Sequence, residues 1–165
     1  MSRVCIVLFF IIFSFCGFAL KKTFSVKDEL KGPLTSLLDE AVYLHQAFYS
    51  KREDQIRLTS LKMINQIEVL ERSPQLVPYH QRSYIDRLLR SLKPQLEAIR
   101  TSPGIRRTNI NAVNHTLTYM AHIYGLNKYA VFFCPDDRSV WLQGKKSKKM
   151  KPLHLEYQEC GALVK

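Results

Sequence analysis

The chain reads as mostly α: an up-and-down bundle of about four helices followed by a small C-terminal β-hairpin closed by a cysteine pair. Three observations predict this. Four successive stretches space their apolar residues at the i, i+3, i+4, i+7 interval of one helical face. Proline and glycine punctuate the gaps between them. After Gly125 the texture turns to β-formers that end at Cys134.

Ahead of the bundle stands a leader. Met1-Ser2-Arg3 places a positive charge before the apolar run Val4 to Phe15, and small residues follow at Gly17 and Ala19. Charged, apolar and small, in that order, is the pattern of a secretory signal, with the cut after Ala19. The run falls short of the roughly 20 apolar residues that span a bilayer, which disfavours a membrane anchor. Lipidation at Cys16 is disfavoured by the bulky Phe13-Ser14-Phe15 before it. The expectation is a signal peptide over 1–19, no transmembrane span after cleavage, and a single domain over 20–165 that is periplasmic or secreted.

The first helix carries Leu34, Leu37, Leu38, Ala41, Val42, His45 and Phe48 on one face, and Gly32-Pro33 marks its start, where a missing N–H costs nothing. The second spans about Glu53 to Arg72 with Ile56, Leu61, Ile64, Ile67 and Leu70 inward, and Ser73-Pro74 ends it. The third lies between Val77-Pro78 and Thr101 with Tyr84, Ile85, Leu88, Leu89, Leu92, Leu96 and Ile99 along one side. Pro94 falls inside that pattern and predicts a bend, or a split into two helices. Ser102-Pro103-Gly104 is a turn, and the fourth helix runs from about Arg106 to Tyr124 with Ile110, Val113, Leu117, Met120, Ala121 and Tyr124 apolar. Gly125 is placed to stop it.

Tyr129 to Cys134 and Val140 to Leu142 are two β-like runs around the turn chemistry of Pro135 to Ser139, a hairpin signature. Gly144 to Lys151 carries five lysines and reads as a solvent loop. Leu153 to Tyr157 is a candidate return strand that brings Cys160 towards Cys134. Cleavage of the leader removes Cys5 and Cys16, so the mature chain keeps one pair, Cys134 and Cys160. In an oxidising compartment such a pair suggests a disulfide. Closing a loop of about 25 residues stabilises a fold by roughly 3 kcal/mol in the chain-entropy model. The alternative is a metal site on both thiolates.

The full chain has a net charge of +11, and +10 once the single charge of Arg3 leaves with the leader. A basic balance favours anionic partners. Export and the lack of a groove-reading or stacking motif argue against nucleic acid, leaving an anionic surface or plain solvation.

The series Tyr129-x-x-x-Phe133-Cys134-Pro135, Trp141-Leu142-Gln143, Lys151-Pro152 and Cys160-Gly161 resembles an uncharacterised periplasmic domain. That domain is found alone or appended to the membrane-fusion adaptors of heavy-metal, chiefly copper, efflux pumps. Leu37 to Phe48 is similar to its first helix, and Gln81-Arg82-Ser83-Tyr84-Ile85 to the Gln-Arg-x-x-Phe stretch opening its third. The resemblance implies an envelope protein partner or efflux component, and copper as the possible cofactor. Family members commonly carry a methionine two residues after the first cysteine and another three residues before the second, soft donors that select Cu(I). This chain has Asp136 and Tyr157 there, and Lys151-Pro152-Leu153 where Asn-Pro-Tyr is usual.

The metal alternative is therefore a Cu(I) or Zn site on Cys134 and Cys160 with His154, or with Met150, beside lysines that repel a cation. The candidate interaction surface is Trp141 with Lys145, Lys146, Lys148 and Lys149. His115 and His122, seven apart, stand about 10.5 Å from each other along a helix axis, too far to share one metal unaided. They read as surface or cap residues, as does His80, and His45 as a core or boundary histidine. Asp136-Asp137 reads as turn chemistry. Nucleophile elbow, His-Glu-x-x-His, phosphate loop and C-x-x-C pair are all lacking, so the expectation is a binding protein, not an enzyme.

Overall fold

The computed structural model describes residues 28–145, 152 and 160–164. The leader, Lys146, Lys148, Lys149, Met150, His154 and the return strand expected from Leu153 to Tyr157 lie outside the described residues. Four helices, α1 (Asp28–Tyr49), α2 (Glu53–Glu71), α3 (Arg82–Thr101) and α4 (Arg106–Ile123), precede three strands, β1 (Tyr129–Phe133), β2 (Val140–Gly144) and β3 (Ala162–Leu163). No described helix is long and apolar enough to cross a membrane.

Each helix packs on the next, and α4 returns to α1, so the bundle closes on itself. Its centre is a continuous apolar cluster that includes Leu34, Leu37, Ile56, Met63, Ile67, Leu89, Leu92, Leu96, Val113 and Leu117. Burying one such side chain stabilises the fold by roughly 1.5–3 kcal/mol. Polar ties join the helices at their flanks. Gln66 Nε2 donates to Ser36 Oγ at 2.9 Å between α1 and α2, and Lys93 reaches Glu71 at 3.2 Å and Glu68 at 3.6 Å between α2 and α3. Arg106, only 2% exposed, donates through Nε to the Ile99 carbonyl at 2.7 Å and pairs through Nη1 with Glu53. It thereby pins the start of α4 to the end of α3 and the start of α2.

Two helix boundaries depart from the sequence reading, and one of its alternatives is settled. α1 begins at Asp28 rather than at Gly32-Pro33, and Pro33 lies inside it. Leu30, wholly buried, extends the inward stripe by one turn upstream and holds that turn in place. The carbonyl deprived of its partner by Pro33 belongs to Glu29, which faces water. α3 is one continuous helix across Pro94, not two. Pro94 is exposed and the orphaned carbonyl belongs to exposed Arg90, so solvent satisfies it. A short 3-10 turn, Tyr79–Gln81, occupies the stretch before α3. In α2, Leu61 is 43% exposed, and Ser60 and Met63 are buried in its place.

α4 ends as its glycine predicts. Gly125 has φ +60, its N–H donates to the His122 carbonyl at 3.2 Å, and Leu126 N–H donates to Ala121 at 2.9 Å. This is the paired-bond cap of a left-handed C-terminal residue. α1 ends with the same two bonds around Lys51, whose φ is 55. A lysine is strained there and a glycine is not. Lys51→Gly is expected to raise stability by about 0.5–1 kcal/mol, the relief of a left-handed side chain less the extra entropy a glycine loses on folding, read as a higher urea midpoint with unchanged slope.

The sheet is antiparallel in the order β2-β1-β3. Phe132 faces Trp141 and Val131 faces Leu142 across β1 and β2, while Phe132 faces Leu163 and Phe133 faces Ala162 across β1 and β3. β2 lies against α4 and α1 and is buried from Val140 through Gln143. Its two faces are both covered, although the strand sits at one edge of the sheet.

Candidate functional site

The hairpin turn is built from its own polar residues and fastened to α4. Asp137 Oδ1 accepts the Ser139 N–H at 2.8 Å, the Cys134 N–H donates to the Ser139 carbonyl at 2.9 Å, and Arg138 takes φ 56. From α4, Asn111 accepts the Val140 N–H at 3.0 Å and donates to the Arg138 carbonyl at 3.3 Å. The helix thus fixes where the turn points.

Cys134 follows β1 and is wholly buried; Cys160 precedes β3 and is partly exposed. The two form a disulfide with Cα atoms 5.3 Å apart. The bond does not simply clasp the β1–β2 hairpin: it brings the third strand onto the free side of β1. Pairing there continues past β3, since Val164 N–H donates to the Val131 carbonyl at 2.9 Å. A carboxylate oxygen of Asp136 and the two sulfurs all lie within 4.8 Å of one another. Both Asp136 and Asp137 lie in the turn, as their composition predicts, and Asp137 shapes it through its bond to Ser139.

Trp141 is not a docking residue. It is 0% exposed, stacked on Phe132 with ring centroids 5.7 Å apart and tilted against His45 at 5.7 Å. Burial on both faces of β2 takes it out of reach of any partner. The exposed apolar residues of the sheet and its end are Phe133, Leu163 and Val164, at 37%, 54% and 52%; Leu163, opposite Phe132, lies on the other face of the sheet from Phe133. Lys145 is exposed just beyond β2. β3 was missing from the sequence reading because Ala162-Leu163 is too short for an alternating pattern; the adjoining Cys160 was its only signal.

His45 is buried at 1% and lies 3.4 Å, through Nδ1, from Asn114 Nδ2 of α4. His80, His115 and His122 are exposed, as expected. Between α2 and α3, Glu71, Asp86, Arg90 and Lys93 line an open cleft of about 430 Å³. Its acids and bases face one another, and Lys93 is already engaged by Glu68 and Glu71.

Sheet and bundle are also joined by a clasp at the start of β1. Tyr129 O–H lies 2.8 Å from Asp39 Oδ1 and 2.9 Å from the Thr35 carbonyl, and Lys128 Nζ donates to both Asp39 oxygens at 2.8 Å. Burial first, and then the bond to Asp39, push the Tyr129 phenol well above its ordinary range. Burial likewise raises Tyr124 to about 12, and burial with a hydrogen bond to Tyr119 raises Tyr84. A phenol whose pKa is higher in the folded chain contributes stability that is complete below about pH 10 and is lost as pH rises through the folded value. Stability is therefore expected to decline above pH 10, by at most about 1.4 kcal/mol per pH unit for each buried tyrosine. Urea melts at pH 8, 10 and 11 measure this decline, and Tyr124→Phe should flatten part of it.

The fold and site define a class: a mostly helical four-helix domain carrying a small disulfide-tied antiparallel sheet. Comparison with known protein families, with characterised proteins and with solved structures finds no match to this chain. The copper implied by the resemblance does not fit the donor set found here. Where the resemblance places a thioether, the structure holds the hard carboxylate of Asp136 beside the sulfurs, and soft ligands are what select Cu(I).

Proposed function

We propose that this protein is a non-catalytic exported binding protein, an accessory of the bacterial periplasm that presents its disulfide-tied sheet edge to an envelope partner. A component of a heavy-metal efflux assembly is the partner that the resemblance implies. The observation that carries the reading is the Cys134–Cys160 bond. A disulfide of this kind persists in oxidising compartments, in keeping with the leader-like order of the first residues. Beside it, Phe133, Leu163 and Val164 are exposed where burial would be the default for such side chains. Among the described residues the outer edge of the short β3 is unpaired, and such an edge accepts an extended segment by strand addition. The copper-delivery reading is weaker, because its thioether donors are replaced. Contact with an anionic surface through Lys145 and its neighbouring lysines is the third reading, and it would be screened by salt.

Two measurements test the proposal. Periplasmic protein alkylated without reductant should carry no adducts and have lost residues 1–19; retention of the leader in a cytoplasmic fraction would sink the export reading. A photo-crosslinking residue at Leu163 should give a discrete envelope adduct that one at Leu58, exposed on α2, does not. Equal labelling from both positions, or none, would refute the sheet edge as the binding surface.

A further inference from the structure

The misfit with copper leads to a different reading of the same corner. The geometry points to a redox-gated zinc-class site, in which Cys134, Cys160 and Asp136 bind a divalent borderline cation when the disulfide is reduced and release it when the disulfide forms. This goes beyond the binding role proposed above and does not depend on it.

The first support is the convergence of donors. Two sulfurs and a carboxylate oxygen lie within 4.8 Å of one another. A zinc ion about 2.3 Å from each thiolate and 2.0–2.2 Å from a carboxylate holds its donors roughly 3–4 Å apart, so small side-chain adjustments suffice once the S–S bond is broken. Three protein donors and a water complete a tetrahedral site with an open position. The mixture of thiolate and carboxylate suits zinc better than Cu(I), which gains nothing from a hard oxygen.

The second support is that the backbone holds the cysteines together by bonds other than the disulfide. Cys134 is anchored by its N–H to the Ser139 carbonyl, and the strand after Cys160 is paired with β1 at Phe132, Phe133 and Val131. Asp136 sits in a turn that Asn111 and Asp137 fix in place. Reduction therefore leaves Cys134 and Asp136 in place and Cys160 tethered beside them by the weaker β3 backbone pairing, which a bound ion would fasten again in place of the disulfide.

Chemical access is asymmetric. Cys134 is wholly buried, whereas Cys160 is partly exposed. The thiolate of a dithiol reductant attacks Cys160 Sγ, forming a mixed disulfide and expelling the Cys134 thiolate. The reductant's second thiol then closes its own disulfide and frees Cys160. Two electrons and two protons pass from the dithiol to the cysteine pair, and binding of the cation displaces the two thiol protons. Re-oxidation by a disulfide of the same class reverses the exchange and ejects the ion.

The test uses the mature protein reduced with a phosphine, freed of reductant under anaerobic conditions and titrated with Co(II) as the optical probe, then with Zn(II). One equivalent of Co(II) should produce thiolate charge-transfer absorption and the intense visible bands of a tetrahedral site, both abolished by Zn(II). The oxidised protein should give neither. Asp136→Asn should weaken Zn(II) binding at least tenfold while the reduced variant keeps the near-UV dichroism of the reduced parent. Equal binding by the oxidised protein, no spectrum from the reduced protein, equal Zn(II) affinity in Asp136→Asn, or loss of near-UV dichroism on reduction would each overturn the inference. Crosslinking at Leu163 is performed on oxidised protein, so the two proposals fail separately.

Discussion

Trp141→Ala is expected to cost about 3–5 kcal/mol, the range for removing a fully buried large aromatic side chain. Trp141 is 0% exposed, and its ring has partners on two elements, Phe132 across the hairpin and His45 on α1. The vacated space is bordered by a strand buried on both faces and by a closed bundle, so little can collapse into it. The cost therefore falls towards the upper end of the range. Trp141→Phe should cost less than half as much. It keeps most of the apolar volume and removes an indole N–H that is buried with no hydrogen-bond partner among the described residues. Urea denaturation followed by far-UV dichroism measures both variants. Equal losses would mean that the two-ring shape of the indole, which a phenyl ring does not reproduce, holds the junction. Because Trp141 is the single tryptophan of the chain, its fluorescence in the parent protein reports directly on the sheet–bundle contact.

The fate of Trp141 also marks where the sequence was legible and where it was not. Helical periodicity is a local signal, and it placed all four helices with their ends close to those observed. It failed where two stripes compete. In α2, Leu58, Leu61 and Val69 form an apolar series beside the buried series Ile56, Ser60, Met63, Ile67 and Leu70, and only packing against α1 and α3 decides which turns inward. At Pro33 the local rule for a helix start was overruled by a tertiary contact, the burial of Leu30. Val140-Trp141-Leu142 is a continuous apolar run, the pattern of a strand covered on both faces, but three residues are too few to establish it. The cysteine partnership was legible because only Cys134 and Cys160 lie beyond the leader-like first residues. The approach of Asp136 to them was not, since it depends on the turn that Asn111, far away in the chain, holds in position.

Replacing both cysteines, as Cys134→Ala with Cys160→Ala, is expected to lower stability by about 3 kcal/mol, the loop-closure contribution for this separation. Globular domains have roughly 5–15 kcal/mol in all, so the bundle should remain folded and cooperative. The local consequence should be larger than the global one. β3 is two residues long, its residues are exposed, and without the bond its pairing with β1 rests on a few backbone contacts. The amide of Val164, which donates to Val131, should exchange with solvent far faster in the variant, while the amides paired between β1 and β2 keep most of their protection. Trp141 fluorescence should stay that of a buried indole, because β2 is held by α4 and α1 and not by β3. If Trp141 instead became exposed together with Val164, the disulfide would be supporting the whole sheet. Reduction would then dismantle the corner on which a Cys134, Cys160 and Asp136 site depends. A confined loss separates the two roles of the bond: it secures the edge strand that carries Leu163, and the helical platform beneath keeps its fold in either redox state.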